Sequence, residues 1–351
     1  MAKKILWMCG FDYLPSFQAV DYSTFNSFIN NLGLAAFINL DKNKSNANIS
    51  NASVRGESFR GINIGLNGGY NGAYLTIKKN LYPNKNLYFG MRISASDSVY
   101  DGTGYVANKN RLAGVSGRDG VIYAMYKLTA SGPFTFYLEG VYEAKNGYYY
   151  IFCNGSLVST WTYAGTGDQD FMFGQTSDDS NGSKPIAGIG YVYSDFYFAT
   201  DDLGAPVEPF GDLRIQSSTV NKFTGGAAFY NTLGLNIVDD LNSIYDSSYA
   251  MVGGYLHTPL TAGTLKYNAV PPDLGVIAMQ STCVVIPPAT GYQLAQKFNS
   301  STTHLPDAIR TYKIATSSST HGVFAEVVNF PDGINSRDLN GISVSINTAK
   351  T

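Results

Sequence analysis

The stretch FYLEGVYEAKNGYYYIFCNGSLVSTWTYAG, residues 136–165, narrows the fold more than any other part of the chain. Aromatic and β-branched residues fill three runs, and two Asn-Gly dipeptides, Asn146-Gly147 and Asn154-Gly155, separate them. Asn-Gly supplies the positive φ angles that tight hairpins need, so the stretch reads as a meander of three antiparallel strands.

The rest of the chain repeats this texture. Its 351 residues include 26 Tyr, 20 Phe and 37 Gly, and only 14% are charged. Aromatics suit pleated surfaces and glycines the turns between them, which gives an all-β expectation. Residues 3–13 read as a first strand. Further strands are expected at 61–66, 74–77, 86–95, 120–127, 134–143 and 148–152. Residues 16–30 suggest one short helix, with Ala19, Phe25 and Phe28 near helical spacing. Residues 41–53, DKNKSNANISNAS, read as a polar loop. After residue 213 aromatics thin out and Ser, Thr and Pro increase. Strands are expected there at 276–286, 293–297, 308–314, 323–329 and 341–346. Pro271-Pro272 and Pro287-Pro288 bracket one loop-strand unit, because proline cannot sit in a central strand.

Several classes are disfavoured. A formal charge of −2 offers nothing to a phosphate backbone, so nucleic acid is not an expected partner. No apolar run approaches the length of a membrane-spanning helix. The opening MAKKILWMCGFD is too short in its apolar part for a secretion signal. Cys9, Cys153 and Cys283 are odd in number and far apart, which argues against a disulfide framework or a zinc ribbon. No cofactor is expected.

Met8-Cys9-Gly10-Phe11-Asp12-Tyr13, the Asn-Gly meander, the aromatic run Tyr191–Phe198 and Gly211-Asp212-Leu213-Arg214-Ile215 occur in a set order. In that order they resemble bacteriophage virion structural proteins with a concanavalin A-like (laminin-G-like) N-terminal domain. The resemblance implies an N-terminal jelly-roll sandwich followed by a second, smaller β-sandwich. It also implies a place in the virion, tail-associated or decorating the capsid, with other virion proteins and copies of itself as partners. A carbohydrate-binding adhesin contacting host surface glycans is the alternative.

The acids Asp195, Asp201, Asp202, Glu208 and Asp212 cluster near Pro206 and Pro209 and read as a domain junction. The expected division is a sandwich over 1–205, a linker over 206–212 and a C-terminal assembly or anchor domain over 213–351. Glu139 and Glu143 share a strand face but lack a third carboxylate, and no nucleophile motif occurs, so no enzyme is expected. Asp178, Asp179 and Asn181 do not match a calcium loop. His257, His304 and His321 fall in loop-like sequence. Tyr148, Tyr149, Tyr150 and Trp161 are candidates for stacking on sugar rings or packing at interfaces. Phe223, Phe229 and Tyr230, in the polar stretch 216–231, and Leu233 just after it are candidates for assembly contacts.

Overall fold

A computed structural model describes residues 3–11, 17–19, 38–41, 45–54, 57–66, 73–77, 82–95, 111–117, 122–127, 134–162, 169–176, 191–218, 220–225, 230–231, 238, 256–257, 262–267, 273–285, 292–300, 309–314, 322–339 and 342–350. The chain divides into two compact units, Met1–Ile215 and Gln216–Thr351.

Among the described residues the first unit is built of strands: β1 (Lys4–Cys9), β2 (Phe17–Ala19), β3 (Ile38–Asp41), β4 (Ser45–Val54), β5 (Glu57–Leu66), β6 (Ala73–Ile77), β7 (Lys85–Ala95), β8 (Arg111–Gly117), β9 (Ile122–Lys127), β10 (Phe134–Glu143), β11 (Tyr148–Cys153), β12 (Ser156–Thr162), β13 (Gln169–Thr176) and β14 (Tyr191–Asp202). They form a nine-stranded sheet, β12-β11-β10-β7-β14-β5-β4-β2 with β1 added on β14, and a five-stranded sheet, β3-β6-β13-β8-β9. Every pairing is antiparallel. The two sheets approach each other at β12 with β9 and at β13 with β5.

The all-β expectation is met, and the expected meander is present. Asn154 (φ 48°) and Gly155 (φ 77°) make the two-residue turn between β11 and β12. The other dipeptide ends a longer loop, where Gly147 (φ 70°) returns its N–H to the Glu143 carbonyl at 3.0 Å.

Two local expectations are corrected. Phe17–Ala19, inside the expected helix, is a strand paired with β4, and residues 20–30 lie outside the described residues. The expected loop at 41–53 is largely β4, paired with β5 along its whole length. Cross-strand pairing overrides the weak strand preference of Asn46, Asn48 and Asn51 there.

Across β7, β10 and β14 one face of the large sheet is apolar and buried. Leu87, Phe89, Met91 and Ile93 of β7 sit beside Phe136 and Leu138 of β10, and Phe196 and Phe198 of β14 continue the layer. Phe196 meets Phe11 and Phe89 edge-on, with ring centroids 5.1 and 5.8 Å apart.

The second unit holds β15 (Val220–Gly225), β16 (Tyr230–Asn231), β17 (Leu256–His257), β18 (Ala262–Tyr267), β19 (Gly275–Val285), β20 (Tyr292–Asn299), β21 (Ile309–Ile314), β22 (Gly322–Asn335) and β23 (Ser343–Lys350), with a 3-10 turn at Ser336–Leu339. Its five-stranded sheet runs β15-β18-β23-β20-β21, with β16–β17 and β19–β22 as two-stranded ribbons. Phe298, Val328, Phe330, Leu339 and Val344 form its buried cluster. Part of the stretch read as a polar loop at 216–231 is therefore strand, and His257 sits on β17 opposite Tyr230.

Candidate functional site

The second face of the large sheet is the unusual one. Strand alternation places Asn86, Tyr88, Gly90, Arg92 and Ser94 of β7 on it, beside Tyr137, Glu139, Val141 and Glu143 of β10. A bulge in β14 between Ser194 and Tyr197 adds one residue, with Asp195 at φ 52°. The bulge shifts the strand's phase, so Tyr197, Ala199 and Asp201 join this outer face while Phe196 and Phe198 stay in the core.

These polar residues are buried because the chain after β14 folds back over them. Asn86 Nδ2 donates to the Ala205 carbonyl at 3.3 Å. Lys3 Nζ donates to the Glu208 carbonyl and, at 3.3 Å, to that of Pro209. It also lies over the rings of Tyr88 and Phe210, at 5.4 and 5.0 Å. Phe210 packs edge-on against Tyr88 and Tyr197, at 5.6 and 5.2 Å, and its N–H donates to both Glu139 oxygens, at 3.1 and 3.0 Å. Arg92 reaches Asp212, and the Ile215 N–H donates to Asp195 Oδ1 at 3.0 Å. Residues 203–215 are thus a strap along β7, inside the first unit, and the unit boundary falls after Ile215. The free connector expected over 206–212 is bonded to the sheet at each end and in its middle, because its carbonyls and amides meet buried side chains.

The acids Asp195, Asp202 and Asp212, expected at a domain junction, fasten the strap and the sheet by ion pairs. Arg92 Nε bonds Asp195 Oδ2 at 3.0 Å, with both side chains nearly inaccessible. Burial pushes the Asp195 carboxyl up, against the opposing pull of the Ile215 N–H and Arg92. Asp202 pairs with Lys85, and its carboxyl is held below the usual range by that contact. Glu139 is pushed up to about 7 by burial, against the pull of the Tyr197 hydroxyl, the Phe210 N–H and Lys3. Gly90 makes the room: a Cβ there would meet Tyr197 Cε1 at 2.2 Å and the Tyr137 hydroxyl at 2.3 Å.

The strap stops short of β11 and β12, and there the outer face opens. By register Tyr148, Tyr150 and Phe152 lie opposite Glu143, Val141 and Glu139, so the three share that face. Their rings run in file, with centroids 6.1 Å apart from Tyr148 to Tyr150 and 6.4 Å from Tyr150 to Phe152. Tyr148 and Tyr150 are half-exposed, Phe152 is buried, and Leu157 opposite Phe152 is 54% exposed. The Tyr150 hydroxyl donates to Glu143 Oε2 at 2.9 Å, and Asn146 Nδ2 donates to Glu143 Oε1 at 2.8 Å. Burial and that carboxylate push the Tyr150 phenol up to about 12. The result is a row of aromatic faces with an oriented carboxylate at one end. Such a surface can stack on an apolar ring face while accepting hydrogen bonds at its rim.

Alternation divides the sequence candidates. Tyr149 is 2% exposed, on the opposite face against Tyr142 at 4.9 Å, so it belongs to the core and not to the row. Trp161 pairs with Tyr149 through its backbone, and its side chain lies outside the described residues. Phe223 is half-buried on β15 opposite Leu265. Tyr230 is placed only as backbone on β16, and Phe229 and Leu233 lie outside the described residues. Asp178, Asp179, Asn181, His304 and His321 lie outside them too. No group of metal-ligating side chains occurs among the described residues. Phe152 and Leu157 escaped the sequence reading; only their place on the row's own face marks them.

No family model matches the chain, and no curated protein matches it. Among solved structures it is similar to the receptor binding domain of botulinum neurotoxin D, at 10% identity and TM-score 0.27 over 48% of this chain and 49% of that one. It is also similar to the N-terminal CBM22-1–CBM22-2 tandem domain from Paenibacillus barcinonensis Xyn10C, at 10% identity and TM-score 0.25, over 100% and 91%. A third is the botulinum neurotoxin serotype D ligand binding domain in complex with N-acetylneuraminic acid, at 10% identity and TM-score 0.26, over 90% and 79%. The chain spans about half the length of the first of these. These likenesses are weak.

Proposed function

We propose that this chain is a non-enzymatic binding protein whose first unit docks a surface glycan on the open aromatic row, displayed as a structural component of a bacteriophage virion. The observation that carries the glycan reading is the half-exposed pair Tyr148 and Tyr150, continued by Phe152 and Leu157, on the part of the outer face that the strap leaves open. A pyranose has one apolar ring face and a polar rim. The row offers ring faces and the Glu143–Asn146 pair offers polar atoms beside them. The virion setting rests on the resemblance of the Gly10-Phe11-Asp12-Tyr13 opening and of Gly211–Ile215 to phage virion proteins.

The non-enzymatic reading is supported by the use of both strand carboxylates. Glu139 is closed under the strap and Glu143 is held by Tyr150 and Asn146. The full chain is to be screened on a glycan array, with Tyr148→Ala, Tyr150→Ala and Tyr150→Phe measured against the best ligand. Each alanine should weaken binding about fivefold, since one aromatic contact is worth about 1 kcal/mol, and Tyr150→Phe should keep most of it. Binding indifferent to all three would refute the site. Absence of the chain from a peptide census of purified particles would refute the setting.

A further inference from the structure

Tyr148 and Tyr150 are the half-exposed rings of the aromatic row, and the strands beside them give it two different flanks. On the β10 side, Glu143 stands opposite Tyr148 by register and accepts the Tyr150 hydroxyl at 2.9 Å. One carboxylate therefore lies beside both rings. On the β12 side, Thr162 and Thr160 pair with Tyr148 and Tyr150 and are exposed, so their hydroxyls border the same rings.

Charge is uneven around the two rings. β11 and β12 carry none. Glu139 is closed under the strap, where both its oxygens accept the Phe210 N–H. Lys145 is the cation of the loop joining β10 to β11, and its stem lies by Gly204 of the strap, where a Cβ would meet Lys145 Cδ at 3.8 Å. Glu143 is fixed in place, because Tyr150 holds one of its oxygens and Asn146 Nδ2 the other at 2.8 Å. Among the described residues it is the charged group held against the two rings.

We infer that the aromatic row selects glycans free of acidic groups, and that Glu143 is the residue that sets this preference. The inference rests on the glycan reading of the row. A carboxylate that accepts two hydrogen bonds keeps lone pairs for more, and a sugar hydroxyl or amide N–H can fill them. A carboxylate or sulfate on the ligand has no proton to donate and meets a like charge at short range. Discrimination between two ligands is commonly built from such a repulsive element. The threonine hydroxyls on the other flank serve sugar hydroxyls and supply no cation to offset the repulsion.

Matched oligosaccharide pairs presented to the full chain test this. Each pair is a neutral chain and the same chain with one hydroxymethyl group oxidised to the carboxylate of a uronic acid. The wild type should bind the neutral member roughly fivefold more tightly or better. Glu143→Gln keeps an oxygen for the Tyr150 hydroxyl and removes the charge, so the ratio should fall to within about twofold. Thr160→Lys leaves Glu143 in place and sets a cation across from Tyr150, so it should lower or reverse the ratio. Circular dichroism checks each fold, and Thr160→Lys decides alone if Glu143→Gln does not fold. A wild type that binds no glycan refutes the docking reading, and this inference with it. A wild type that binds glycans but holds the acidic member as tightly overturns this inference alone. So does a ratio that folded Glu143→Gln leaves unchanged.

Discussion

At the scale of single residues, the buried carboxyl of Glu139 makes stability depend on pH with a definite sign. Its ordinary value is 4.5 and burial raises it to about 7 in the folded chain. Between those values the folded chain keeps a proton that the unfolded chain has released. Stability therefore falls as the pH rises through that window and levels off above about 7. A shift of this size is worth roughly 3 kcal/mol, and it acts against folding at neutral pH. Urea unfolding of the wild type from pH 4.5 to 8 should show that decline. Glu139→Gln keeps an oxygen for the Phe210 N–H without the charge, so its midpoint should stay nearly flat across the window. A wild type without the decline, or a variant with the same one, would show that Glu139 is not the group responsible. The Asp195 carboxyl is raised as well, so a residual slope of the same sign belongs to it.

At the scale of elements, the strap is held by main-chain groups meeting buried side chains, and one ring anchors its middle. Phe210→Ala removes the ring that covers Tyr88 and Tyr197. Phe210 is part-buried, and covering such a ring is worth about 1–2 kcal/mol, so the strap should open locally without unfolding the sheet. Hydrogen exchange read by mass spectrometry should find the amides of Phe210 and Ile215 protected in the wild type. In the variant they should exchange far faster while β7 and β10 stay protected. Equal protection in both chains would mean that the ring does not hold the strap.

The strap also shows where sequence reading stops. β10, β11 and β12 are legible because aromatics alternate along them and Asn-Gly marks the turns. β4 is not, since DKNKSNANISNAS carries little apolar signal and becomes strand only by pairing with β5. The stretch 203–215 has the Gly, Pro and Asp of a linker, and its bonds to the sheet and to Lys3 reach residues 20 to 206 positions away, beyond any local pattern. The aromatic row was half legible. The run Tyr148–Tyr150 stands out in sequence, but only the register tells that Tyr149 faces the core and that buried Phe152 and exposed Leu157 continue the row on the outer face. The change of face at Asp195 needed the bulge, which a positive φ at an Asp permits and no sequence periodicity announces.

At the scale of the whole molecule, the strap decides where the first unit ends, and two fragments differing by ten residues test it. A fragment ending at residue 205 stops before Glu208, Phe210, Asp212 and Ile215. It would uncover Tyr88 and Tyr197, leave Arg92 without Asp212, and open Glu139 to water. A fragment ending at Ile215 keeps every one of these contacts and coincides with the compact unit. The longer fragment should therefore be the more stable by roughly 3 kcal/mol, mostly from the covered aromatic surface. Its unfolding midpoint should fall between pH 4.5 and 7 as in the intact chain. In the shorter one that decline should vanish, because a solvated Glu139 returns to its ordinary value. Equal midpoints for the two fragments would mean that the strap adds nothing to the sheet beneath it. Persistence of the decline without the strap would place the cause of the raised carboxyl elsewhere than in its cover.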